Sequence, residues 1–227
     1  MEKMHARTER LLTPERMAAL RTARVAVVGL GGVGSWCAEA LARSGVGTLI
    51  LMDDDCVAPS NLNRQAEALL STLGRPKTEA LAARLRDAAP DTELCLLSAR
   101  YTPEGREALF SLGPDVVADC IDSVADKCDL IRTAMERGIA LVSSMGTGGK
   151  LDAARLRVGD LAKTQTCPLA RAVRRELRAA GITHLPVVWS DEEPLVREHP
   201  PGSVMWVTAT AGLLLAQTIA LQLPVYK

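Results

Sequence analysis

Three places in this sequence carry groups that could hold a nucleotide and break its phosphate chain. The first is the turn Gly29-Leu30-Gly31-Gly32-Val33-Gly34, in which Gly29, Gly31 and Gly34 satisfy G-x-G-x-x-G. Glycines at that spacing let the backbone turn tightly and offer its amides to phosphate oxygens at a helix N-terminus. The second is Asp53-Asp54-Asp55, where the Asp53 carboxylate is placed to bond a ribose hydroxyl. The third is Asp122-Ser123, just past a later apolar run. A glycine turn followed by one acidic strand end would also suit a nicotinamide dinucleotide. Asn61, Arg64 and Lys77 argue otherwise, because they add an amide and two cations close in sequence to the ribose carboxylate. A triphosphate carries far more charge than a dinucleotide, and stabilising its departing pyrophosphate calls for cations and magnesium. Asp122 could bind that magnesium, and capping the helix that follows is a compatible second role.

Hydrophobic patterning supplies the elements that must position these groups. Residues 25–28 and 48–52 read as buried strands on either side of the helix that the glycine turn opens. Further strands are expected at 94–97, 115–120 and 139–143, with helices at 76–89 and 124–137. Leu81 and Leu85 share one face of the first of these helices. Thr13-Pro14-Glu15 and Thr102-Pro103-Glu104 look like helix N-caps followed by proline. Such alternation implies β-α-β units, hence an α/β, Rossmann-like fold with a mostly parallel sheet flanked by helices. The pattern changes after Met145-Gly146-Thr147-Gly148-Gly149: short strands at 155–158 and 186–189 flank a helix at 168–180. The charged, proline-rich stretch 191–202 reads as a surface loop. The expectation is one domain over residues 1–227, with a nucleotide-binding core at about 22–145 and an elaborated C-terminal third.

Composition excludes several classes. The 27 basic and 27 acidic residues cancel, so a general polyanion binder is not indicated and any nucleic-acid contact must be a local patch. The 48% apolar content suffices for a sizeable core. The six cysteines (Cys37, Cys56, Cys95, Cys120, Cys128 and Cys167) form no C-x-x-C pair, which disfavours a structural zinc site and suits reduced thiols in the cytoplasm. The charged segment 1–10 does not resemble a signal peptide. Residues 204–226 lack charge and are long enough to span a bilayer, but Thr208, Thr210, Gln217, Thr218 and Gln222 make a buried closing helix the better reading.

Together G-L-G-G-V-G-S-W, the D-x-D strand end, S-N-L-N-R-Q, R-P-K and D-C-I-D-S resemble the adenylation core of ubiquitin-activating-type enzymes. Ser143-Ser144-Met145-Gly146, Gly159-Asp160-Leu161-Ala162-Lys163-Thr164, Pro168-Leu169-Ala170 and Pro201-Gly202-Ser203 extend the likeness toward one branch, the tRNA threonylcarbamoyladenosine dehydratases. So does Asp122-Ser123-Val124 with Lys127. The resemblance implies an ATP-dependent enzyme that adenylates the carboxylate of threonylcarbamoyladenosine in tRNA and cyclises it. It also implies roles: Gly31 and Gly32 facing phosphate, Asp53 on the ribose, and Asn61 with Arg64 on the phosphates. Lys77 would neutralise the leaving pyrophosphate and Asp122 would hold Mg²⁺, with Asp55 and Ser123 beside the nucleotide. Arg7 resembles an arginine that related dimers insert into the neighbouring subunit's ATP site, so a homodimer is expected. A sulfur-mobilising protein is a further partner that the resemblance admits. The competing reading within the superfamily is an adenylyltransferase acting on the C-terminal glycine of a small sulfur-carrier protein. The missing C-x-x-C pairs disfavour it.

Spacing alone adds a candidate acceptor surface. Arg171, Arg174, Arg175 and Arg178 fall on one face of the helix at 168–180, as a tRNA-backbone contact or a solvated face would require. Leu169, Val173, Leu177 and Ala180 are expected to pack inward. Cys167 precedes Pro168 and is placed at the helix N-cap, where the helix dipole and Lys163 would favour a thiolate. Buried filler is nevertheless its simpler reading. Cys56 is a poorer nucleophile beside two aspartates. His5, His184 and His199 attach to no motif, and Trp36 reads as a core or dimer residue.

Overall fold

Alternating side chains on the strands face two separate apolar layers, so the sheet must be covered on both sides. In β1 (Arg24–Val28) and β2 (Thr48–Met52), Val25, Val27, Leu49 and Leu51 join one cluster, while Ala26, Val28, Ile50 and Met52 join the other. A strand buried on both faces reads as a continuous apolar run, as these do. The computed structural model describes residues 4–195 and 201–223. The remaining strands are β3 (Glu93–Leu97), β4 (Val116–Asp119), β5 (Ala140–Ser144), β6 (Leu156–Asp160) and β7 (Pro186–Ser190). They assemble in the order β3-β2-β1-β4-β5-β7-β6, parallel throughout except for the antiparallel edge pair β6–β7. The order reverses between β1 and β4, where the carboxyl ends of a doubly wound sheet open a crevice.

The helices are α1 (Ala6–Glu9), α2 (Pro14–Thr22), α3 (Gly34–Arg43), α4 (Lys77–Ala88), α5 (Arg106–Phe110), α6 (Val124–Glu136), α7 (Pro168–Ala179) and α8 (Met205–Gln222). One layer takes Leu20 of α2, Leu41 of α3, Leu81 and Leu85 of α4, and Leu215 and Ile219 of α8. The opposite layer takes Leu109 of α5, Leu130 and Ile131 of α6, and Val173 and Leu177 of α7. Thr13 caps α2 through Arg16 N, as expected. The α8 helix is long and apolar enough to cross a membrane by length and composition, yet half of it is buried within the protein. Its carboxyl end is fixed by Arg16, whose Nη1 donates to Leu221 O and Leu223 O at 2.9 and 2.8 Å. A cation there satisfies carbonyls that the helix itself leaves without partners.

The structure departs from the sequence reading in a few places. Thr102 does not cap a helix directly: its hydroxyl accepts from Gly105 N, closing a turn, and α5 starts only at Arg106. Arg155 belongs to a single 3₁₀ turn, so β6 begins at Leu156 and runs to Asp160. Ala180 is exposed past the end of α7 and does not pack inward. His199, part of the loop expected at 191–202 and the last residues of the apolar run 204–226 lie outside the described residues.

Close approach of α8 to α3 generates a specific expectation. A Cβ on Gly212 would lie 2.3 Å from Val33 O and 3.0 Å from Cys37 N. Glycine to alanine within a helix ordinarily stabilises. Here Gly212→Ala must push the helices apart, and urea denaturation should show a loss of about 1–3 kcal/mol.

Candidate active site

The glycine turn works by omission of side chains. Gly29 follows β1 at φ +89°, and a Cβ there would stand 2.9 Å from Cys120 O. A Cβ on Gly34 would fall 1.8 Å from Gly29 O, so α3 can begin only if that position is bare. Val33, the N-cap of α3, supplies no side-chain bond to the first turn; Ser35 N is taken by Gly31 O at 3.0 Å, while Gly34 N and Trp36 N have no partner among the described residues and can face an anion. Gly31 has open space on its Cβ side, with only Gln65 Nε2 at 4.0 Å, whereas Gly32 is roofed by Thr208 of α8 and the Arg64 side chain. The four glycines thus divide between two that allow packing and two that border the site.

Asp53, at the end of β2, braces this turn. Its Oδ2 accepts from Leu30 N at 2.6 Å and its Oδ1 from Asp55 N at 2.9 Å. Lys77 opens α4 and is almost fully buried, with Nζ 2.7 Å from Asp55 Oδ2 and 3.6 Å from Asp53 Oδ1. Asp53, Asp55 and Lys77 thus lie together in the structure. Asp54 completes a group of three carboxylates whose oxygens lie within 4.8 Å of one another.

Asn61 ends a 3₁₀ turn after β2, and its Oδ1 accepts from Ala58 N. Arg64 follows and donates from Nη1 to Ser60 O and Asn63 Oδ1 at 2.8 and 2.9 Å. Trp36 Nε1 donates to Arg64 O at 2.9 Å, so the tryptophan expected in a core or dimer role anchors the Arg64 loop to α3. On the far side of β1, Asp122 is exposed and makes no hydrogen bond or salt bridge among the described residues. Ser123, not Asp122, caps α6 by accepting from Asp126 N at 3.5 Å. That division leaves the Asp122 carboxylate available to a ligand.

Other candidates land elsewhere. Arg7 sits on α1, which packs through His5 against Gly45, ahead of β2 at the amino ends of the strands. The glycine turn lies at the opposite ends, so Arg7 cannot line its own chain's site. On α7, Arg171, Arg175 and Arg178 are exposed. Arg174 does not join the expected stripe: its Nη1 donates to Thr164 O at 2.8 Å and to Leu161 O at 3.3 Å, which draws it into the underlying loop. Cys167 does cap α7, with Sγ accepting from Ala170 N at 3.5 Å, but it is buried. The cation interacting with it is the buried Lys150, whose pKa burial lowers; Lys163 is exposed instead. His184 pairs with Asp160 at 3.1 Å on the surface.

Arg100 and Glu67 escaped the sequence reading, and Lys127 entered it only as part of a motif, without a role. Arg100, just past β3, pairs with Asp126 and interacts with Asp54 and Asp122, setting a cation at the mouth of the site. Lys127 is wholly buried against Asp119 at 2.7 Å. Glu67 is 1% exposed, and among the described residues neither of its carboxylate oxygens has a hydrogen-bond partner. Its isolation in the run Ala66-Glu67-Ala68-Leu69 was the only available signal. Burial pushes Glu67 up to about 7, although Lys77 pulls the other way.

Comparisons with known proteins fit this geometry. The ThiF family model matches residues 5–219. The chain belongs to the ThiF family. It is similar to the tRNA threonylcarbamoyladenosine dehydratase of Bacillus subtilis, with 40% identity over 96% of this chain and 93% of that protein. A solved Escherichia coli tRNA N6-threonylcarbamoyladenosine dehydratase, in complex with ATP, superposes with a TM-score of 0.92 at 35% identity, covering 97% of this chain and 93% of that one. The sulfur carrier protein ThiS adenylyltransferase of E. coli is 37% identical, over 58% of this chain and 53% of that protein. The nicotinamide-dinucleotide reading is set aside by these likenesses.

Glu67 yields a pH expectation with a definite sign. A carboxyl whose folded pKa is raised binds its proton more tightly in the folded state, so stability falls as pH rises from the unfolded value, near 4.5, through about 7. The full loss is of the order of 3 kcal/mol. Glu67→Gln should be more stable than the parent at pH 8 and should flatten this slope, as read by denaturation at several pH values.

Proposed function

We propose that this ThiF-family protein is an ATP-dependent tRNA threonylcarbamoyladenosine dehydratase. Extent of likeness carries the reading: the B. subtilis dehydratase match takes in 96% of the chain, and the carrier-protein adenylyltransferase match stops at 58%. The geometry supports the shared first step. A substrate carboxylate oxygen attacks the α-phosphorus of ATP, the bond to pyrophosphate breaks, and an acyl-adenylate forms. The carbamoyl group of the same modified nucleoside then attacks the acyl carbon, and AMP departs with the carboxylate oxygen. The net change to the nucleoside is loss of one water.

Each residue has a part in that sequence. Free amides at the start of α3, bordered by Gly31 and Gly32, cradle phosphate. Asp53 has one oxygen on Leu30 N and takes the ribose. Lys77, poised between Asp53 and Asp55, and Arg64 stabilise the departing pyrophosphate. Mg²⁺ fits Asp122, an exposed carboxylate that makes no hydrogen bond or salt bridge among the described residues and stands next to a capped helix, and would neutralise triphosphate charge there. The whole of residues 1–227 acts as one adenylation domain in this reading.

The same reading places the partners. Exposed Trp206, Leu213 and Leu221 follow one face of α8, and exposed Leu62 belongs to a segment tied to its start by Asn63 Nδ2 on Ser203 O. An apolar surface of that kind suits a second copy of the chain. A homodimer would also give Arg7 a neighbour's ATP site to enter. Arg171, Arg175 and Arg178 offer phosphate contacts to tRNA about one to three turns beyond Cys167, which touches Gly146 just past β5. Six free cysteines suit a cytoplasmic setting. A sulfur-mobilising protein remains a further partner in this scheme, without a surface that selects it.

Two experiments check the proposal. ATP–pyrophosphate exchange should depend on tRNA bearing threonylcarbamoyladenosine and be absent with a Gly-Gly-tailed carrier protein; the reverse pattern would replace the dehydratase by the adenylyltransferase. Lys77→Ala should lower the exchange by about 100-fold or more. Separately, joint replacement of Arg171, Arg175 and Arg178 by Glu should weaken tRNA binding, flatten its salt slope by about one per lost contact, and spare ATP binding. Unaltered tRNA affinity would remove α7 from the interface.

A further inference from the structure

Lys127 is 0% exposed, and its ammonium has three partners for three protons: Asp119 Oδ2 at 2.7 Å, Ser143 Oγ at 3.1 Å and Ser144 O at 3.0 Å. Asp119 in turn accepts from the Ser143 hydroxyl at 2.6 Å and, through Oδ1, from Ile121 N at 3.1 Å. The network stands at the carboxyl ends of β4 and β5, under the two loops that leave those strands.

Each loop serves a different part of the site. From β4, Cys120 bonds back to Val28 O and its carbonyl underlies Gly29, after which Ile121 leads to Asp122. From β5, Ser144 leads to Met145, held on Val188 O, and to Gly146, which abuts Cys167 at the start of α7. The first loop supports the nucleotide-binding turn; the second abuts the start of α7 through Cys167 and Leu169. Nothing but this buried network ties Ser144 O to Asp119 through side chains among the described residues.

We infer that Lys127 is a positioning residue that fixes the loop leaving β5 against the nucleotide-side loop leaving β4, through Ser144 O on one side and Asp119 on the other. This inference rests on the adenylating function proposed above and adds a residue to it. A buried ion pair gives little net stability over an apolar pair of similar volume. Its particular contribution here is geometric: two backbone segments are held in one relation where the acyl group and the α-phosphorus must meet. Misplacement of about 1 Å at such a junction can cost about 100-fold in rate.

The test separates geometry from folding. Lys127→Met with Asp119→Asn removes both charges, while the amide introduced in place of the carboxylate still offers an oxygen to Ile121 N. The expected result is a thermal midpoint and an ATP dissociation constant close to the parent's, with acceptor-dependent turnover down about 30-fold or more. A folded double variant with parental turnover would overturn the inference. Ser143→Ala, which deletes one hydroxyl from the network, is the milder companion in case the double variant fails to fold. It should lower kcat several-fold with KM for ATP unchanged, and an unchanged kcat would equally reject the clamp. All rates are referred to the unsubstituted protein with whichever acceptor supports its turnover, so a parent inactive with modified tRNA speaks against the proposed function and not against Lys127.

Discussion

The site depends on a contact that any side chain would prevent. Gly34 sits on the carbonyl of Gly29, and Gly29 sits on the carbonyl of Cys120, so three backbone segments from β1, α3 and β4 meet without intervening atoms. That closeness aims the open end of α3 at the crevice where the strand order reverses. A helix end placed there favours an anion through its unpaired amides and its dipole. The side chains that act on the anion can then lie on neighbouring strand ends and remain within reach.

Charge around the turn is arranged in layers of differing access. Asp53 is spent largely on the backbone, bracing Leu30 and Asp55, and Lys77 is buried between two carboxylates. A cation so enclosed keeps its place and is weakly screened. Asp122 and Arg100 lie farther out, where the proposed reaction would bring magnesium and the triphosphate tail. Beneath them, Lys127 and Asp119 form a fully buried pair. Glu67 is the outlier: a buried carboxyl without a hydrogen bond among the described residues, its proton held tightly by burial.

Much of this was legible in the sequence because it is local. Strands β1 and β2, the capped helix α2 and the order of elements follow from apolar runs and turn residues a few positions apart. Motif residues such as Gly29, Asp53 and Lys77 also met where their spacing indicated. Contacts between distant segments were not legible. Arg174 shares the helical face of Arg171 and Arg178, yet Thr164 O draws it inward, and periodicity carries no information about that carbonyl. Lys127 and Asp119 lie eight positions apart, with nothing in their spacing to announce a buried pair. The start of α5 was missed because Thr102 closes a turn with the same chemistry that caps a helix.

Activation of the substrate carboxylate by adenylate formation is the central claim, and oxygen tracing tests it most directly. The carboxylate of threonylcarbamoyladenosine in tRNA is enriched in heavy oxygen and the products are weighed by mass spectrometry after one turnover. Adenylation followed by cyclisation predicts one heavy oxygen in AMP and none in pyrophosphate. Heavy oxygen appearing in released water, or ATP cleaved to ADP and phosphate, would contradict the account.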